Sequence, residues 1–128
     1  MQTKRAPSGY DCLAPDGSEI RLLVTGERGS CVHCTLPARK ASLAVTHRSV
    51  EEIWYCLAGR GEMWRKLGSS EETVEVSPGL SLTIPCGAHF QFRNPGDSPL
   101  KFVLVTMPPW PGEQEAVRVK DHWPVETG

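Results

Sequence analysis

The sequence predicts an all-β domain, an antiparallel sandwich or barrel, on three observations. Short runs rich in β-branched and aromatic residues recur about every 8–12 residues. Turn signals such as PDGS, TGERG, LAGRG, SPGL and NPGDSP stand between them. No segment carries a helical period. The eleven prolines and twelve glycines are spread along the chain, so they punctuate it and do not mark a low-complexity tail.

Taken in order, the elements are nine runs. IRLLV (20–24) leaves the PDGS turn, and CVHCTL (31–36) follows TGERG with a Val/Cys/Thr pattern suited to a half-buried strand. SLAVTH (42–47) and EIWYCL (52–57) come next, the second with aromatic and β-branched residues on both faces. LAGRG then turns the chain into EMWRKL (62–67), whose alternation is not clean. TVEVS (73–77) alternates strictly and reads as a strand with one wet face. LSLTIP (80–85) ends at a proline that cannot donate to a ladder, FQFRN (90–94) follows, and LKFVLVTM (100–107) is apolar on both faces, as expected of a central strand. The PPWP that follows must leave the sheet.

A chain of 128 residues suits one domain with a single core. We place that domain over 1–128, its core at about 20–107, flanked by an N-terminal and a Pro-rich C-terminal extension. Fourteen basic and fifteen acidic residues give a formal charge of −1 with no Lys/Arg run, which argues against nucleic acid and anionic membrane as partners. No apolar stretch is long enough for a leader or a bilayer span, so a cytoplasmic location is expected. In a reducing compartment the five cysteines, an odd number, read as free thiols.

Two stretches carry a resemblance. THRSVEEIWYCLAGRG places His47, then Glu52, then after six more residues Gly59; GLSLTIPCGAHFQFRN places Gly79, Pro85, Gly87 and Asn94 in a second register. In this the chain resembles the small single-domain cupins, and the closing TMPPWPGEQEA looks like the tail of some uncharacterised bacterial members. The resemblance covers most of the chain and implies a double-stranded β-helix, the cupin jelly-roll barrel. It also implies a site: in metal-binding members three histidines and a glutamate hold Fe, Mn, Ni or Zn, with open positions for substrate or dioxygen. His47 and Glu52 match two of those ligands, while Val45 and Phe90 stand at the other two places.

His89 lies one residue before Phe90. Strand alternation turns His89 outward if Phe90 and Phe92 face inward, whereas a bulge after the PCGA turn would bring it in as a third ligand beside His47 and Glu52. Without metal, His47 and Glu52 bond to each other or to a ligand, or work as an acid and base in an apolar pocket, as a metal-free isomerase, cyclase or lyase would need. With Glu52 inward, Trp54 and Cys56 share its face, while Ile53, Tyr55 and Leu57 take the other, against neighbouring strands or a second subunit. Trp54, Phe90 and Phe92 are candidate pocket walls, Glu51 is a solvated carboxylate, and Arg65 and Arg93 read as exposed. Aromatic walls with few polar groups favour a small, largely apolar organic ligand. Cys31, His33 and Cys34 cannot chelate one ion from a single strand, because residues three apart face opposite ways. Trp110, between prolines, is expected to fold over one end of the barrel or to pack between subunits, and the resemblance implies a homodimer.

Two functions follow as expectations. In one, the barrel binds a small apolar molecule, with acid/base chemistry at His47 and Glu52. In the other, a divalent metal on His47, Glu52 and His89 supports an oxygenase, isomerase or lyase.

Overall fold

The computed structural model describes residues 1–125; the last three residues of the C-terminal extension lie outside the described residues. Its strands are β1 (Cys12–Leu13), β2 (Glu19–Thr25), β3 (Ser30–Leu36), β4 (Val45–His47), β5 (Glu51–Ala58), β6 (Gly61–Leu67), β7 (Ser70–Val76), β8 (Ser81–Ile84), β9 (His89–Arg93), β10 (Leu100–Met107) and β11 (Ala116–Arg118), with one 3₁₀ turn at Glu113–Glu115. They form two antiparallel sheets, one ordered β1-β2-β3-β10-β5-β8 and the other β11-β4-β9-β6-β7. The expected all-β jelly roll is what the chain adopts.

The nine expected runs are all strands, though β4 is only three residues long and β7 starts at Ser70. The sequence reading missed β1 and β11, two short edge strands, because two or three residues carry no period. Strand alternation sets the core. Along β5 every second residue is buried, so Glu52, Trp54 and Cys56 face in while Ile53, Tyr55 and Leu57 stay 44–46% exposed on the outer face, Ile53 and Tyr55 opposite Val105 and Val103 of β10. Along β10 the inward set is Leu100, Phe102, Leu104 and Thr106. Register then pairs Glu52 with Thr106, Trp54 with Leu104 and Cys56 with Phe102.

The broken alternation of β6 has a physical cause. Met63 is buried inside the barrel, but outward-facing Trp64 is also only 5% exposed. The C-terminal extension returns over that outer face, His122 stacking on Trp64 at 4.8 Å with its ring parallel to the indole. Beside it, fully buried Gln91 donates to Ser42 O and Trp123 O and accepts from the amides of His122 and Trp123. Arg93 lies 4.4 Å over the Trp123 ring and is paired with Glu62; Arg65 is bonded to Thr83 O and Glu72.

Candidate functional site

β4 delivers His47 and Val45 to the barrel interior, and β9 pairs with it so that Phe90 stands opposite Val45. Glu52 arrives from β5 and Thr106 from β10, directly across from it. Trp110 reaches the same place from the proline-rich segment, with its amide donating to Ser30 Oγ at 3.0 Å. All six residues line one cavity of about 700 Å³.

Glu52 is held from two sides. Trp54 Nε1 donates to Oε1 at 3.1 Å, and Thr106 Oγ1 donates to Oε2 at 2.6 Å. His47 sits edge-on to Phe90 and Trp110, with ring centroids 5.2 and 5.3 Å away. Its Nδ1 lies 3.9 Å from Glu52 Oε1, too far for a hydrogen bond, and that buried nitrogen has no partner. Proximity suggests an ion pair, but burial opposes both charges. Burial pushes the Glu52 carboxyl up to about 7, against the two hydrogen bonds that favour its ionised form. Burial likewise pushes His47 down to about 4, with only Glu115 pulling the other way. At neutral pH the imidazole is therefore uncharged and the carboxyl shares its proton with solvent.

The edge of the site beside β4 is clasped from outside. Glu115, in the 3₁₀ turn, accepts from the amides of Arg48 and Ser49 and from Ser49 Oγ, and Ala116 then pairs with His47 as β11 joins β4. Trp110 thus lies on a segment fastened at both ends, and its side chain lines the cavity.

The structure corrects two expected positions. β9 pairs with β4 and β6 in unbroken register from its first residue, so no bulge turns His89 inward; it shares the outer face with Thr46 and Lys66 and does not join His47 and Glu52. Phe92 is behind the cavity wall, fully buried against Trp54 and Phe102 at 5.0 and 5.7 Å. Among the lining residues that escaped the sequence reading are Thr106, Asp16 and Ser18. Thr106 was legible as the one polar residue on the inward face of β10. Asp16 and Ser18 were not, because PDGS reads only as a turn; here Asp16 is 7% exposed, accepts from Ser18 N and Oγ, and is pushed up by burial against those bonds. All five cysteines are free; Cys34 is buried beside the cavity, its thiol pushed well up by burial and then by Asp16.

The metal implied by the resemblance can be tested on the donor set. Val45, His47, Glu52 and Phe90 all line the cavity, so the four ligand positions do converge. Two of them offer no donor atom, and both oxygens of Glu52 already accept hydrogen bonds. Among the described residues no three His, Cys, Asp or Glu side chains are disposed to hold an ion. Two protein donors fall short of the three or four that transition metals take, so these residues do not fit the group.

Comparison with known proteins agrees with this architecture. Residues 32–106 match the family model described as Cupin domain. The uncharacterized protein MJ1618 of Methanocaldococcus jannaschii is 32% identical over 117 residues, 84% of this chain and 90% of that protein. The crystal structure of a predicted oxalate decarboxylase from Thermotoga maritima superposes with a TM-score of 0.61 at 20% identity, over 70% of this chain and 79% of that one. Oxalate decarboxylase from Bacillus subtilis gives 0.69 at 15% identity, over 80% of this chain and 28% of that one. These two likenesses are of fold. Among the described residues no helix is long and apolar enough to cross a membrane.

Proposed function

The chain belongs to the cupin family, and from that premise we propose that its barrel binds one small, largely apolar organic molecule without a metal, with His47 and Glu52 exchanging protons with it. The single observation that supports this reading is His47 Nδ1, buried and unpartnered on the wall of a cavity of about 700 Å³. A buried polar atom left without a partner costs about 1–3 kcal/mol, which a donor group on a bound molecule recovers. Trp54, Phe90 and Trp110 give that molecule apolar walls, and Trp110 covers it.

The protonation states suit acid/base work. His47, pushed down to about 4, is a neutral acceptor at physiological pH, and Glu52, pushed up to about 7, is close to half protonated there. A base that removes a proton from one atom of a substrate and an acid that returns one to another atom together perform an isomerisation or assist an elimination, with the electron pair shifting within the substrate. The oxalate in the names of the two structural neighbours belongs to those proteins.

The test is a titration with the neutral, apolar fluorophore N-phenyl-1-naphthylamine in the presence of EDTA, with energy transfer from tryptophan as the signal. We expect one site per chain, weakened at least about tenfold by Leu104→Trp, which fills the cavity. Binding that requires added metal, or that Leu104→Trp leaves unchanged, overturns the reading.

A further inference from the structure

We propose that the cavity selects an organic cation, a primary ammonium on a small aromatic or apolar body, over neutral and anionic molecules of the same size. This rests on the reading of the cavity as the ligand site and names the chemistry that site takes.

The buried carboxyls of the lining are Asp16 and Glu52; Glu113 and the one Lys or Arg of the lining, Lys4, are both exposed, so no buried cation balances the two acids. The donors nearest the carboxyls are committed, Trp54 Nε1 and Thr106 Oγ1 to Glu52 and Ser18 Oγ to Asp16, and among those left to meet an anion the Trp110 indole N–H and the Ser30 and Thr25 hydroxyls are neutral. His47 Nδ1, on a residue 95% buried, is unpartnered and open to a polar group of a ligand. The two buried carboxyls, with no buried cation beside them, favour a ligand that brings charged hydrogen-bond donors.

Charge points the same way. The groups that face Glu52 are Asp16 from the turn before β2, Cys34 from β3, His47 from β4, Thr106 from β10 and Glu115 from the 3₁₀ turn; none is cationic at neutral pH. Asp16 and Glu115 both repel a second negative charge at Glu52. A carboxylate ligand would be stripped of water with no cation to meet it, which is the costliest kind of burial. An ammonium would instead give Glu52 and Asp16 the counter-charge they lack. The walls suit the aromatic or apolar body of such a ligand: Trp54 meets Phe90 edge to face at 5.9 Å, and His47 meets Phe90 and Trp110 in the same way.

The discriminating experiment uses three probes of one size, phenethylamine, 2-phenylethanol and phenylacetate, each displacing N-phenyl-1-naphthylamine from the wild-type protein near neutral pH. We expect phenethylamine to displace at least about tenfold more tightly than 2-phenylethanol, and phenylacetate not to displace at all. Calorimetry in two buffers of different ionisation enthalpy should show protons released with phenethylamine and none with the alcohol, because a cation favours the ionised carboxyls. Well above pH 7 the release should vanish, Glu52 being ionised already. Glu52→Gln should reduce the preference for the amine to within about threefold, and Asp16→Asn, a milder change outside the β5 ladder, should reduce it in part. If the alcohol or the carboxylate binds as well as the amine, or if the fluorophore binds and none of the three displaces it, the cation assignment is wrong and the ligand cavity stands. If the fluorophore itself does not bind, both readings fall together.

Discussion

At one end of the barrel Trp54 meets Phe92 and Phe102 edge to face at 5.0 Å, with Met63 and Leu100 fully buried in the same core. At the other end the same strands, β5, β9 and β10, present Glu52, Phe90, Leu104 and Thr106 to a cavity. Alternation decides which side chains face inward in both halves; their volume decides which half is solid. Reading inward positions toward the open end, Phe102 gives way to Leu104 and Thr106 on β10, and the buried residues that β3 and β4 add there include the small or polar Cys34, Val45 and His47. One ladder therefore carries a solid half and an open half, divided at Trp54, and the polar residues that these three strands turn inward are confined to the second.

The division is sharpened most by truncating aromatic residues two apart on β9. Phe92→Ala, in the solid half, is expected to cost about 3–5 kcal/mol in urea unfolding, and Phe90→Ala, which only enlarges an existing space, about 2 kcal/mol. Equal losses would break the comparison. Next comes the pH dependence peculiar to the open half. Glu52 titrates at about 7 folded against 4.5 unfolded, so the stability it contributes is fully present below about 4.5 and lost as pH rises through about 7. His47 runs the other way: its contribution is present above 6.5 and lost as pH falls through about 4. Glu52→Gln should therefore remove about 3 kcal/mol of the stability difference between about pH 4.5 and about pH 9, measured by denaturant unfolding at each pH. A wild-type profile that stays flat across neutrality would mean that Glu52 is not kept from water as its neighbours suggest. The smallest effect belongs to neither half: Ile53→Lys, on the exposed side of β5, should change stability by less than about 0.5 kcal/mol.

How much of this could be read in the sequence follows from the same division. EIWYCL gave the phase of β5, and with it the inward placement of Glu52 and Trp54, because a period-two pattern on a half-buried strand is local information. The outward turn of His89 rested on the same rule and needed only the unbroken register of β9 to fix it. Three features lay beyond reach because they depend on residues distant in the chain. Trp64 breaks alternation only because His122 returns to stack on it; Asp16 becomes a cavity residue only because the turn bearing it packs against Leu43, whose amide donates to its carbonyl. Phe92 and Phe90 share a face and differ only in which half they fall, a matter of depth along the barrel that no periodicity encodes.

β11 is three residues long and holds to β4 through Ala116, Val117 and Arg118 opposite His47, Thr46 and Val45. The stretch between β10 and β11, which carries Trp110 over the cavity, is therefore tied down at one end by a long central strand and at the other by one of the weakest ladders in the molecule. Release of the proposed ligand, if it leaves past Trp110, would then have its own clock. The rate would follow the fraying of β11 and the Glu115 clasp, and amide exchange at Ala116–Arg118 would report the same opening that sets how long a bound molecule stays.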